Sequence, residues 1–240
     1  MSKTFDDLLA QAGEFLSAGL DPQATSHLLT VLGGPPTPPE WLAEMKLYSE
    51  TLPKGRENPY TEEQRCLHFL WDAFDKLPLA LMAPFSIPFR RLIGERLFKR
   101  CGTGLVCEEN VRFNFGQFLE LGERVFFNRG VFLDTKGGLV IGDQVGLAED
   151  VRIFTHGHSE ASHIERTYAP VVINSFAKIY SGATIMPGVT IGSQAIVASG
   201  ALVMRDAPAN TVVAGRPAKV VRERRTEGRS GEDLDHIWLF

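Results

Sequence analysis

With 240 residues, 44% hydrophobic and 22% charged, and a net charge of −4, the chain carries enough apolar material to bury a substantial core. Its mild acidity excludes a nucleic-acid binder that works through a dominant basic face, and no stretch is long and apolar enough to be read as a transmembrane segment. An acidic N-terminus without a signal-length apolar core, and Cys66, Cys101 and Cys107 in no CxxC spacing, give the expectation of a reduced cytoplasmic protein.

Residues 1–103 are expected to form an α-helical N-terminal region. FDDLLAQAGEFL and DPQATSHLLTVL carry apolar residues at three- and four-residue spacing, and Asp21-Pro22 offers an N-cap followed by proline at the first helical position. GGPPTPPE (33–40) is a breaker-rich connection into a further helix, EWLAEMKLYSETL; TEEQRCLHFLWDAF opens another at Thr61, and 85–101 a last one, basic on one side. His27 and His68 fall on these helices and are expected to be packed or surface residues. LPLALMAPFSIPF (77–89) holds three prolines and is read as a packing or interface segment.

From residue 104 to 224 the pattern changes. Aliphatic residues recur every six places at Ile173, Ile179, Ile185, Ile191, Val197, Val203 and, last, Ala209, and small ones follow four places later at Ala177, Ala183, Val189, Ala195, Ala201 and Ala207. Upstream the same phase runs through Leu121, Phe127 and Leu133, slips by two, and resumes at Ile141, Leu147 and Ile153, with Val125, Val131, Val145 and Val151 in the fourth-place sites. Neither a helical nor a two-residue period produces this. A fixed period means stacked repeats: a short strand and a tight turn every six residues, three times per coil, stack the aliphatic residues at strand spacing, roughly 4.8 Å. The expected fold class is therefore mainly β, a parallel β-helix behind helices. The tail, 225–240, reads as charged and mobile up to an apolar end, where His236 has no inferable role.

PGVTIG (187–192), ASGALVMRD (198–206) and DAPANTVVAGRPAKV (206–220) closely resemble the left-handed β-helix (hexapeptide-repeat) acyltransferases, and within them the maltose, galactoside and nodulation O-acetyltransferases. The resemblance covers about residues 104–224. It implies a left-handed helix and an acyl-CoA-dependent O-acetyltransferase that moves an acetyl group from acetyl-CoA to a hydroxyl of a sugar or sugar-containing acceptor. It also implies a homotrimer with active sites between subunits. The helical first hundred residues depart from the family, whose own N-terminal motif is absent.

The hexads break after Ile153 and resume at Ile173, so HGHSEASHIERTYAPVV (156–172) must leave the coil as a loop, and long loops on rigid scaffolds carry function. A neutral imidazole suits a base that deprotonates an alcohol. Carried forward in phase, the resemblance implies that the catalytic histidine is His158, with His156 as its competitor and His163 as a loop residue. His158 and His163 also have the H-x4-H spacing of β-helical zinc enzymes, but one coil earlier stand Asp134, Thr135 and Lys136, so no metal is expected.

On the acceptor side the resemblance implies Asn114, Asn128 and an acid; in-phase counting lands on Lys136, and Asp134 is the nearest carboxylate. Asn128 is equally readable as a left-handed turn residue. For coenzyme A it implies Ser181, Ser199, Met204, Arg205, Lys219 and Arg222, the cations facing phosphates. Where the family usually has tryptophan and glycine, this chain has Lys178 and Tyr180. No cysteine or serine stands where an acyl-enzyme would form, so direct transfer is expected, with main-chain donors at the developing oxyanion. The alternatives are a xenobiotic or antibiotic O-acetyltransferase on the same coil, or a non-catalytic trimeric scaffold.

Overall fold

The computed structural model describes residues 4–234. It has two compact units: one of the residues up to Leu97 together with Glu108–Asn110, the other of Phe98–Cys107 and the residues from Val111 on. Among the described residues no helix is long and apolar enough to cross a membrane. The apolar end of the tail and His236 lie outside the described residues.

The first unit is helical, and three of its helices start where the capping chemistry is. Phe5–Ala18 and Glu62–Phe74 open with capping boxes, Thr4 with Asp7 and Thr61 with Gln64; Pro22–Val31 is capped by the Asp21 carboxylate. EWLAEMKLYSETL is not one helix. It splits into Pro39–Glu44 and Tyr48–Thr51 because Met45 and Leu47 turn extended, and the second piece ends at Thr51 because Leu52 must be extended ahead of Pro53. Glu50 holds the break: it accepts from the Leu47 N–H at 2.9 Å and takes a forked bond from Arg65, its Nη2 at 2.6 Å. The last helix runs Ala83–Leu97, so the expected span to 101 is too long; Arg100–Cys101 is already a strand.

The 77–89 run is packing material. Phe85 and Phe89 are fully buried and stack with ring centroids 5.4 Å apart, and Phe74 lies 4.6 Å from Phe89. Beside them Arg90 and Asp75 form an ion pair at 2.5 Å with the Arg90 guanidinium 5.0 Å from the Phe74 ring centre. His68 is buried against the Tyr60 hydroxyl, and His27 meets the Phe15 ring edge-on.

The second unit is a left-handed parallel β-helix with three faces. On the first, Cys101, Leu121, Ile141, Ile173 and Ile191 stand above one another in register; on the second, Cys107, Phe127, Leu147, Ile179, Val197 and Val213; on the third, Phe113, Leu133, Ile153, Ile185 and Val203. Nearly all these side chains are fully buried, each contributing about 1.5–3 kcal/mol by leaving water. The fourth-place residues Ala177, Ala183, Ala195 and Ala201 are buried at the narrow corners. At one corner the glycines of the Ile-Gly pairs receive the backbone of the next coil: a Cβ on Gly142 would lie 2.6 Å from the Ser175 nitrogen.

One member of the expected row is displaced. Ala209 is exposed, and it is Ala207 that bridges to Ile191, because the last coil is two residues shorter than the hexad count. Thr211–Gly215 and Ala218–Glu223 then form an antiparallel hairpin that ends the second face. Just before the tail Arg224 donates to the Phe176 and Gln194 carbonyls, and the described part of the tail is anchored rather than free: Gly231 N–H donates to the Gln194 side chain, Glu232 pairs with Arg124 at 2.7 Å, and Leu234 is buried.

Candidate active site

The excursion from the coil is an ordered β-hairpin. His156–His158 pairs antiparallel with Arg166–Tyr168, in the register His156 with Tyr168 and His158 with Arg166. It is rooted by Thr155, which is fully buried and ties the hairpin to the coil beneath. Its hydroxyl donates to the Asp134 carbonyl at 2.6 Å and accepts from the Gly137 N–H at 2.7 Å; its own N–H donates to the Asp134 carboxylate at 3.2 Å.

This root brings four polar side chains together. The Asp134 carboxylate is wholly buried, takes the Nδ1–H of His156 in a short bond, and pairs with Lys136 Nζ at 2.7 Å. Lys136 Nζ also donates to Asn114 Oδ1 at 3.1 Å. Burial pushes the Asp134 carboxyl up, but the hydrogen bonds and charges of His156 and Lys136 outweigh it and hold it below the ordinary carboxylate range. Asn114, Lys136, Asp134 and His156 thus form one chain. Asp134 sits at its centre with its oxygens turned onto protein groups; the residue on which phase counting lands, Lys136, is its ion-pair partner.

His158 is placed differently. It is exposed on the single chain, and its Nδ1 bonds the His163 carbonyl at 2.9 Å. The His163 ring lies flat on it, centroids 4.0 Å apart and planes 7° apart, while the His156 ring meets it edge-on at 5.3 Å. A carbonyl can only accept, so Nδ1 carries the hydrogen and the Nε2 lone pair of neutral His158 faces outward from this bond. Among the described residues no three of His, Cys, Asp and Glu are placed to hold a metal ion.

Asn128 stands apart from these groups, on the second face. It is not a left-handed turn residue; Gly130, with φ of 74°, has that role in its turn. The Asn128 side chain accepts from the Arg129 N–H at 2.8 Å and bonds Glu149, and with Lys178 and Tyr180 it lines a cavity of about 210 Å³.

The residues expected around coenzyme A are divided. Met204, Arg205 and Lys219 line one groove of about 720 Å³ with Val203, Val213, Pro217 and Val220. Its remaining charged member, Asp206, accepts from the Thr190 N–H at 2.7 Å; it lies within the quoted motifs but was not among the residues expected around coenzyme A. Ser181 and Ser199 lie outside the groove, on stacked corners joined by the Gly200 N–H to the Ser181 carbonyl at 2.9 Å; the Ser181 hydroxyl donates to Glu149 at 2.8 Å. Arg222, exposed on the last strand, donates to the Glu223 carbonyl at 3.0 Å.

No family model matches the chain. A Saccharomyces cerevisiae protein named, by inference, as an acetyltransferase is 34% identical over 56% of this chain and 68% of its own length. The galactoside O-acetyltransferase of Escherichia coli is 29% identical over 58% of this chain and 71% of its own. A hexapeptide-repeat-containing acetyltransferase of Vibrio cholerae, solved in complex with acetyl coenzyme A, has a TM-score of 0.54 and 27% identity, covering 57% of this chain and 77% of that one.

Proposed function

Because the chain belongs to the hexapeptide-repeat acetyltransferases, we propose that it moves an acetyl group from acetyl-CoA to a hydroxyl of a sugar or sugar-containing acceptor, with His158 as general base. The observation that carries this reading is the bond from His158 Nδ1 to the His163 carbonyl. It selects the tautomer whose Nε2 can take a proton, and it does so on an exposed ring that an acceptor can reach.

His158 Nε2 removes the acceptor's hydroxyl proton, and the oxygen is thereby readied to attack. Acetyl-CoA, when bound, supplies the acetyl group as a thioester; as the new C–O bond forms its C–S bond breaks, and the proton taken by His158 passes to the departing sulfur, giving the free CoA thiol. His163 prevents the His158 ring from turning, through its carbonyl and its stacked face. His156, held at Nδ1 by a fully buried carboxylate, supports the ring edge and anchors the hairpin. Cys66 and Cys107 are buried, and the half-buried Cys101 stands in the inward row of the first face below Leu121, so a direct transfer suits these residues better than an acyl-cysteine.

The groove of Met204, Arg205 and Lys219 fits the donor: its valines and proline match an aliphatic arm, and its two cations match phosphates. A hairpin that presents its base to solvent on one chain is completed when a neighbouring copy supplies the facing wall. The assembly in this reading is therefore a homotrimer with a site at each seam.

The test is release of free CoA thiol with sugar acceptors, run on the wild type, His158→Ala and His156→Ala. Removing a general base should lower kcat about 10²- to 10⁴-fold. We expect that loss for His158→Ala with folding and acetyl-CoA affinity retained. A His158→Ala protein with full turnover would refute the assignment, and a comparable loss confined to His156→Ala would move the role to His156.

A further inference from the structure

The cavity beside Asn128 has a local cause in the second face. The outward residues of three stacked strands are Phe126, Gly146 and Lys178, in register one above the other. Glycine in the middle leaves a slot between a phenyl ring and a lysine. A Cβ at Gly146 would lie 3.5 Å from Lys178 Cδ and 3.9 Å from its Nζ, so the amine runs over the missing side chain. Phe126, Ala148 and Ile179 make the apolar surface of the cavity, and Asn128, Glu149 and Tyr180 its polar edge.

Lys178 is 8% exposed and donates to the Gln144 carbonyl at 2.7 Å. The titratable groups around it are Arg224, a second cation, with Glu149 and Tyr180 on the cavity edge. Burial, and then the charge of Arg224, lower its amine to about 8. Glu149 is held as a carboxylate by its own backbone N–H and by Ser181 and Asn128. The cavity thus has a cationic end and a hydrogen-bond-accepting edge beside aromatic rings. Its volume of about 210 Å³ is below the roughly 300 Å³ at which drug-sized sites begin, room for one small ring.

We propose that this slot selects a sugar acid: the carboxylate on Lys178, hydroxyls on Glu149 and Asn128, and one ring face on Phe126 and Tyr180. The proposal rests on the reading of the enzyme as a trimeric sugar acetyltransferase, in which the second face of one copy is the wall that meets the His158 hairpin of its neighbour, and it makes Lys178 a specificity-determining residue for the acceptor. A hydroxylated ring without an acid would meet the polar edge and make no charge-assisted hydrogen bond to Lys178.

The experiment compares methyl β-D-glucuronide with methyl β-D-glucoside as acceptors for the full-length protein, by thiol release, and as ligands, by saturation-transfer NMR. One charge-assisted hydrogen bond should give the glucuronide a KM about tenfold lower at pH 7. That advantage should shrink as pH rises through 8 and Lys178 loses its proton; taking the ratio of the two sugars cancels the titration of the catalytic groups. Lys178→Met should bring the ratio to about one, and Gly146→Val, which fills the slot without forcing the backbone, should weaken both sugars. Equal KM values in the wild type, or an advantage that survives Lys178→Met, would overturn the proposal and leave sugar acetylation standing. Selective binding of the glucuronide without turnover of either sugar would do the reverse.

Discussion

Removing the Asp134 carboxylate should loosen the root of the hairpin and, with it, the site. Asp134 is fully buried, and its partners Lys136 and His156 keep only 11% and 21% of their side-chain surface exposed. Substitution to alanine strands a largely desolvated ammonium and leaves the Thr155 N–H without its acceptor. Breaking a buried pair by deleting one partner costs about 3–5 kcal/mol. At about 2–4 °C per kcal/mol for a chain of this size, Asp134→Ala should lower the thermal midpoint by about 6–20 °C. Asp134→Asn keeps an oxygen for the Thr155 N–H but removes the charge, and should fall between alanine and wild type.

The acid limb gives a second readout of the same group. The folded-state carboxyl of Asp134 is depressed, so its contribution is complete above the unfolded value of about 3.9 and fades as pH falls through the folded value. Urea unfolding monitored by circular dichroism between pH 7 and pH 3 should show Asp134→Asn losing less stability than wild type over the acid end. A loss below about 1 kcal/mol for Asp134→Ala at pH 7 would refute this account of the root, since so small a change is the scale of an exposed pair.

Gly142→Ala should lower the thermal midpoint, because the added carbon meets the Ser175 nitrogen and Cα, at 2.6 and 3.0 Å, as well as its hydroxyl; differential scanning calorimetry reads the loss. Arg205→Ala combined with Lys219→Ala should raise KM for acetyl-CoA about five- to thirtyfold in low salt with kcat little changed, and added salt should narrow the gap. Steady-state kinetics at two ionic strengths decides it.

Much of the coil was legible because its rule is local. Each hexad of the 173–203 stretch states its own inward aliphatic residue, and all of those proposed for that stretch are inward. The errors lie where the repeat changes length: Ala209 was assigned the place that the shortened last coil hands to Ala207. In the helical unit Asp21 and Thr61 announced two helix starts, whereas the break between Glu44 and Tyr48 is held by Glu50, which accepts from the Leu47 N–H and pairs with Arg65, fifteen residues away. The tail looked mobile from its charge, yet the Gln194 side chain takes the Gly231 N–H and Arg124 pairs with Glu232.

The sequence by itself determined that a prism of stacked hexads exists, that one long break interrupts it near its middle, and that histidines stand at the interruption. Only the tertiary structure decided what those histidines touch. Asp134 and His156 are far apart along the chain and meet because one coil lies on the next; His158 and His163 meet because the excursion closes as a hairpin. The slot between Phe126 and Lys178 exists because Gly146 falls between them in register, across a coil lengthened by that same hairpin. A repeat fixes what each residue does within its own turn, but contacts between turns depend on coil length, which only the folded stack reveals.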